Sequence, residues 1–460
     1  MAAVRVGAAQ YLGYAAGEVA NNLTFAMVSA FLLIYYTDVA RISAATAGTL
    51  FLVVRIWGGI TDLVAGRRVD RTSSRWGRFR PYLLFGSAPL LISLVAVFSV
   101  PGGLSDAGRV TWALISYAVF QLAYSFVNIP YGSLSAVMTQ EPGERARFSA
   151  GRVVAASLTI LLIAVAVSPQ ISRAGDLQRS LTLTTVVFAA VGLALYLWCF
   201  ATARETVRRE GDDTTIRETV QMMRHNRPLV VLCASSLLFL TGMFSLQTVG
   251  VYYARDILGD ADLYVVMTVV QTIGMIAAAA VVPKAIGAIG KKRTYVVAGL
   301  ITCSAGIAVA VVPGSQSLIA IALFGLLGFG MGVINTLIFA LQPDTVDYGE
   351  WRSGVRAEGA SYSVLSFTRK AGQGIGGAAA AFIIGIGGYA SGASSQSGAA
   401  LTAIRVAAGV LPAVVIVAAA GVMLTYPLTE GTLRGMVGDM AERRAGRGAP
   451  AATWPAGAAP

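Results

Sequence analysis

Among the ionisable side chains inside long apolar runs of this chain, the candidates for chemistry are Glu18, Arg55, Asp62, Arg152, Arg369 and Lys370. A charge at the centre of a bilayer costs roughly 2.5–3.5 kcal/mol on insertion scales, so such groups face a cavity or a partner. Asp62 sits deep in its run, and a carboxylate there is the usual carrier of a transported proton or ligand of a sodium ion. Arg55 and Asp62 are seven residues apart, which on a helix puts them on one face about 20° out of register. Arg55 reads as the balance for Asp62 rather than as a ligand. Glu18 stands among Tyr14, Asn21 and Asn22, a polar face suited to a polar solute or an ion. Lys370 follows Tyr362 and Ser366 at helical spacing and precedes Gln373. Its neighbour Arg369 points about 100° away and is expected to reach the membrane interface by snorkelling.

Other chemistries find no residues to carry them. Cys199, Cys233 and Cys303 lie in apolar runs without CxxC spacing, and His225 is the single histidine, in a basic loop. No metal site, cofactor or catalytic residue is expected. The glycine-rich run from Gly372 to Gly377 follows no strand, so it is not a dinucleotide fingerprint. An intramembrane transferase would want a DDxxD pair or a nucleophile–base pair, and neither occurs.

These charges need elements to hold them, and composition says which. Only 13% of residues are charged and 56% are apolar, against about 25% charged in soluble domains. A helix crosses a bilayer with about 20 mostly apolar residues, its backbone bonded within itself. Such runs fall near 10–36, 44–66, 81–100, 109–138, 150–170, 181–202, 229–254, 262–285, 295–313, 317–343, 360–389 and 402–427. The reading is an all-α membrane protein of twelve transmembrane helices in two six-helix halves, 1–202 and 229–428. A charged cytoplasmic linker, 203–228, joins them, and a polar, then Ala/Gly/Pro-rich tail, 429–460, is expected to be disordered. The first run is too long for a signal h-region and shows no cleavage site, so it is read as a retained helix.

Loops after even-numbered runs, with the tail, hold most of the 35 basic residues. Loops after odd-numbered runs hold Arg41, Arg109, Arg173, Arg179 and Arg255. Both termini are therefore expected in the cytoplasm, the chain lying multi-pass in the plasma membrane. The net charge of +12 then has a topological cause, and no nucleic-acid partner is expected. The two halves also repeat. Gly66-Arg-Arg-Val-Asp70-Arg71, leading to Arg75 and Arg78, follows the second run, and Gly287-Ala-Ile-Gly-Lys-Lys-Arg293 follows the eighth. Six-helix halves related by an axis along the membrane normal are the layout of major facilitator transporters, whose signature loop these segments resemble. Gly66, Asp70, Arg71, Arg75 and Arg78 would hold helix ends by charge pairs that break and reform as the halves rock.

Several motifs together resemble one family. They are Tyr35-Tyr-Thr-Asp38, the stretch from Ala45 to Trp57, Asp62, Arg75-Trp-Gly-Arg-Phe-Arg-Pro-Tyr82, Asn128-Ile-Pro-Tyr-Gly-Ser-Leu134 and Asp344-Thr-Val-Asp-Tyr-Gly-Glu350. The chain resembles the glycoside–pentoside–hexuronide:cation symporters, to which melibiose permease belongs. The resemblance implies a sugar or glycoside symporter working by alternating access, with a small polar solute and membrane lipid as its partners, expected to act as a monomer. It places Glu18, Tyr124, Asn128 and Arg152 at substrate positions and Lys370 near the cation. Gln373 is a further hydroxyl partner from the polar face of its run.

Departures narrow the ion. Sodium-using members carry two carboxylates on the second helix, whereas here Gly58 stands in the first place and Thr61 precedes Asp62. Asp62 with Thr61 and Ser125 is a thin oxygen set for sodium. A proton needs one basic site, so proton coupling through Asp62, or no coupling, is expected. Asn128 and Gly132 replace groups used for galactosides, which argues against melibiose. Export, or carriage of a lysolipid or natural product, stands as the alternative.

Overall fold

The computed structural model describes residues 7–138, 142–205, 226–353, 358–393, 395–428, 431–432, 435–436 and 439. Most of the expected linker, with His225, and most of the tail lie outside the described residues, as does the side chain of Asp70. The described residues form twelve long helices joined by turns and short loops. The first six are α1 (Ala8–Ile34), α2 (Ala44–Asp70), α3 (Arg80–Val97), α4 (Asp106–Met138), α5 (Pro142–Arg173) and α6 (Leu177–Thr202). The second six are α7 (Arg227–Tyr252), α8 (Leu263–Ile289), α9 (Lys291–Val311), α10 (Ser317–Ser353), α11 (Glu358–Ile386) and α12, which runs Gly398–Arg405 and Leu411–Leu424 around a π-helical insert.

Eleven of the twelve are long and apolar enough to cross a membrane by length and composition. The exception is α11, where Arg369, Lys370 and Gln373 stand among serines and glycines. Its polarity is local to the face it turns towards its neighbours. Leucine, isoleucine and valine side chains such as Ile56, Ile92, Leu158 and Val311 are exposed around the bundle, where lipid replaces water as solvent.

The packing repeats. In the first six helices the packed pairs are α1–α5, α1–α6, α2–α4, α3–α4 and α3–α6; in the second six they are α7–α11, α7–α12, α8–α10, α9–α10 and α9–α12. Each pair maps onto its counterpart by adding six. Between the groups, α2 packs on α11 and α5 on α8, which are the same contact with the groups exchanged, and α1 packs on α7. A pseudo-twofold relation thus puts α1, α2, α5, α7, α8 and α11 at the boundary. Small residues permit these approaches. A Cβ on Gly328 of α10 would fall 2.2 Å from the Gln271 carbonyl oxygen of α8, and one on Gly376 of α11 would fall 2.3 Å from that of Thr241 on α7.

The helices α1 and α7 both end in a π turn, Tyr35–Val39 and Tyr253–Ile257. Each carries a buried tyrosine pair followed by an acid, Tyr35-Tyr36 with Asp38 and Tyr252-Tyr253 with Asp256. Single-turn π segments of this kind frequently sit at working sites.

Candidate functional site

One stripe of α1 supplies Glu18, Asn21, Asn22, Phe25 and Ser29, spaced by three and four residues on one face. Glu18 is buried and accepts a charge-assisted hydrogen bond from Arg152 Nε of α5 at 2.7 Å, while Asn22 Nδ2 donates to its other oxygen at 2.9 Å. The Arg152 guanidinium lies 5.4 Å from the centroid of Tyr131, whose hydroxyl donates to the Tyr14 carbonyl at 2.8 Å. Asn21 Nδ2 donates to Tyr124 OH at 3.2 Å and to Asn128 Oδ1 at 3.1 Å. Glu18, Tyr124, Asn128 and Arg152, drawn from three helices, therefore meet in one polar cluster.

The stripe continues past Phe25, which stacks on Tyr124 at 5.7 Å between centroids and carries the Arg55 guanidinium at 5.7 Å. Beyond it a small cleft of about 20 Å³ lies between the groups, lined by Ser29, Phe51, Arg55, Phe244, Thr248 and Gln373 among others. Gln373 thus belongs to this cleft. It makes no hydrogen bond to the Glu18 cluster.

Lys370 Nζ donates to Asp62 Oδ2 across the boundary, from α11 to α2. Asp62 Oδ1 is buried without a hydrogen-bond partner. Arg55, expected to balance Asp62, does not: two turns of helix, about 10 Å of rise, separate them, and Lys370 takes that role. Thr61 Oγ1 and Ser125 Oγ bond to each other at 2.9 Å and back to the Gly58 and Gln121 carbonyls of their own helices, at 3.0 Å each. Both hydroxyls are committed to the α2–α4 seam. Arg369 also departs from expectation. Its guanidinium is turned inward onto α10, Nη2 donating to Asn335 Oδ1 at 3.2 Å and the group lying 4.8 Å from the Phe339 centroid, with Nη1 buried and unpartnered. A side chain this far from the helix end finds an amide and a ring closer than the interface.

At the loop between α2 and α3, Gly66 has open space around its Cα and Arg71 is exposed. Arg75 stacks 4.2 Å from the Trp76 centroid, and Arg78 Nε donates to the Val69 carbonyl at 3.1 Å. Glu205 completes this loop, a residue that sequence reasoning passed over. Its carboxylate accepts from the backbone N–H groups of Arg78, Phe79 and Arg80 at 2.8, 2.8 and 3.1 Å, capping α3 where the helix dipole favours an anion. Gly77, with φ of +103°, makes room: a Cβ there would sit 2.5 Å from the Glu205 carboxylate. In the second half, Lys291 pairs with Asp344 at 2.6 Å at the equivalent junction.

A further cluster joins the groups at the end where α1, α7 and α11 finish. Arg255 donates to Asp38 at 2.6 Å and Tyr389 OH to the same carboxylate at 3.0 Å, while Thr37 and Tyr252 share a hydrogen bond at 2.8 Å. Nearby, Arg173 of α5 pairs with Asp262 at the start of α8. Burial, and then the Asp38 carboxylate, hold the Tyr389 phenol well above its ordinary range, so it stays a donor. The repeated tyrosine pair with a following acid was the available signal for this end.

The twelve-helix fold, the polar stripe and the ion pair across the boundary define a multi-pass membrane transporter of the major facilitator class, not an enzyme. The MFS/sugar transport protein model matches residues 13–430. The chain belongs to that family and, within it, to the glycoside–pentoside–hexuronide:cation symporters. It is 40% identical over 437 residues to a glucuronide carrier protein homolog of Escherichia coli, covering 94% of this chain and 95% of that protein. It is 32% identical over 401 residues to an isoprimeverose transporter of Lactiplantibacillus pentosus, covering 85% and 83%. Among solved structures, the nucleoside transporter NupG superposes with a TM-score of 0.64 at 12% identity, over 92% of this chain and 100% of that one. That likeness is one of fold.

Proposed function

We propose that this chain is a sugar or glycoside symporter that couples solute movement to protons and works by alternating access. The observation that carries this reading is the Lys370–Asp62 bond. It is a titratable carboxylate paired across the boundary along which two pseudo-symmetric helix groups would rock. Protonating Asp62 cancels its charge and weakens that bond. Closing the cavity over a neutral carboxyl costs less than over an anion. The ion then shifts the two states only through its different affinity for each. Glu18, Asn128, Arg152 and Tyr124 would receive sugar hydroxyls and an apolar sugar face. The relatives named for a glucuronide and for isoprimeverose support a carbohydrate cargo. In this reading the halves are 1–202 and 229–428, both termini are cytoplasmic, the membrane is the plasma membrane, and no cofactor is required beyond the coupling ion.

The test is proton movement. Reconstituted liposomes receive a panel of glycosides, uronides and monosaccharides, and external pH is recorded with and without sodium, for wild type and Asp62→Asn. Sugar-dependent alkalinisation outside, indifferent to sodium and absent in the variant, is expected. Sodium-stimulated uptake without a pH change would remove the proton assignment.

A further inference from the structure

Several charges embedded in this bundle pair off among the described residues. Glu18 has Arg152, Asp62 has Lys370, and Asp38 has Arg255. Arg369 has the Asn335 amide and the Phe339 ring. Arg55 has neither hydrogen bond nor ion pair among the described residues, only the face of Phe25. An isolated guanidinium in a low-dielectric setting is costly, and a helix that merely needed bulk here could use a neutral residue.

The surroundings are built for this side chain. A Cβ on Gly374 of α11 would lie 2.5 Å from Arg55 Cγ, so the glycine leaves a notch through which the arginine stem passes. Ser29 Oγ and Gln373 line the same cleft. The serine hydroxyl is buried without a partner, and the Gln373 amide makes no hydrogen bond among the described residues. All three side chains carry N–H or O–H donors. Asp62, the nearest acid on the same helix, is two turns away and already held by Lys370. The cleft therefore presents unused donors around one uncompensated positive charge, beside a cluster of hydroxyl-binding groups.

We propose that Arg55, with Ser29 and Gln373, is the subsite for a carboxylate on the cargo, so that the solute carried is a uronic-acid sugar or its glycoside. The carboxylate supplies the counter-charge that Arg55 lacks, and the sugar hydroxyls turn towards Glu18, Asn21 and Asn128. One planar guanidinium matches one planar carboxylate in a two-bond fork. A doubly charged phosphate would leave a second charge unpaired. This deepens the carbohydrate reading above and rests on it.

The experiment measures binding by calorimetry on the purified full chain in detergent. The probes are methyl β-glucuronide and methyl galacturonide, their neutral amides, and methyl β-glucoside. The variants are Arg55→Gln and Arg55→Lys. Wild type is expected to bind a uronide about 10–100-fold more tightly than its amide, the worth of one charge-assisted pair. In Arg55→Gln that preference should collapse to within about threefold, and Arg55→Lys should keep part of it. Its retained charge also guards against a folding artefact. An undiminished preference in Arg55→Gln, equal loss for all five probes, or wild-type preference for the glucoside overturns the subsite while leaving sugar transport standing. Wild type that binds none of the five, and moves none in liposomes, overturns the subsite and the carbohydrate reading together.

Discussion

Lys370 donates to Asp62 across 308 residues of chain, from α11 of one helix group to α2 of the other. The bond thus fastens the two helix groups at their boundary. Its second carboxylate oxygen is buried and unpartnered, which leaves one acceptor free for a proton.

Asp62→Asn should therefore separate coupling from carriage. The variant loses the titratable group and leaves Lys370 without its anion. Uphill, gradient-driven accumulation in liposomes should fall to the background, while counterflow of labelled sugar between equal concentrations persists. Retained accumulation in the variant would mean that another group carries the ion. In thermal melts the Asp62→Asn/Lys370→Gln pair should show a coupling of about 0.5–3 kcal/mol, as groups in contact do. Purely additive losses would mean the contact adds nothing.

The cluster at Glu18 makes a second prediction. Glu18→Gln leaves Arg152 without a charge partner, and a hydrogen bond to a charged group contributes about 1.5–3 kcal/mol. Solute affinity should fall about 10–100-fold. Arg152→Lys should not rescue binding. The guanidinium donates through Nε to Glu18 while lying over Tyr131, and an ammonium does not reproduce that paired geometry. Titration of the bound sugar against each variant decides it; full affinity in Arg152→Lys would show that only charge matters there.

Much of this was legible in the sequence, and what was not has physical causes. Twelve apolar runs predict twelve helices because lipid leaves the backbone no other choice. Glu18, Asn128 and Arg152 could be grouped by resemblance, and the structure brings them together. The partner of Asp62 could be misjudged, because helical periodicity sees only its own helix and offered Arg55, whereas Lys370 arrives by packing. Thr61 and Ser125 are near Asp62 in order but turn their hydroxyls to each other. Rotamer choice at a helix seam has no sequence signature. The Glu205 cap belongs to the same class, since it joins α3 to a segment over 100 residues later.

The Asp38–Arg255–Tyr389 cluster fastens the two groups at one end, so loosening it should favour the state open there. Arg255→Gln keeps much of the side chain's length and removes its charge. In a background carrying Thr37→Cys, labelling by a membrane-impermeant maleimide should rise about tenfold, the population shift given by about 1.4 kcal/mol. The native thiols interfere little, because Cys199 and Cys233 are buried and Cys303 is half-buried. Unchanged labelling would show that the Arg173–Asp262 pair holds this end by itself.

Gly77 should be the least replaceable residue of the α2–α3 loop. Its φ of +103° is one that side-chain-bearing residues rarely adopt, and an added Cβ would collide with the Glu205 carboxylate at 2.5 Å. The strain alone is worth about 1–3 kcal/mol. Glu205 must also withdraw from the three N–H groups that it caps, and losing such a cap costs about 1 kcal/mol more. Gly77→Ala should thus melt lower than Glu205→Gln, which keeps one acceptor oxygen and loses the charge and the bonds to the other. If the two variants melted alike, the cap would account for the whole loss and backbone strain for none. If Gly77→Ala were neutral, the loop would have to relax away from α3, and the Arg80 bonds to the Phe200 carbonyl would be the next contacts to fail.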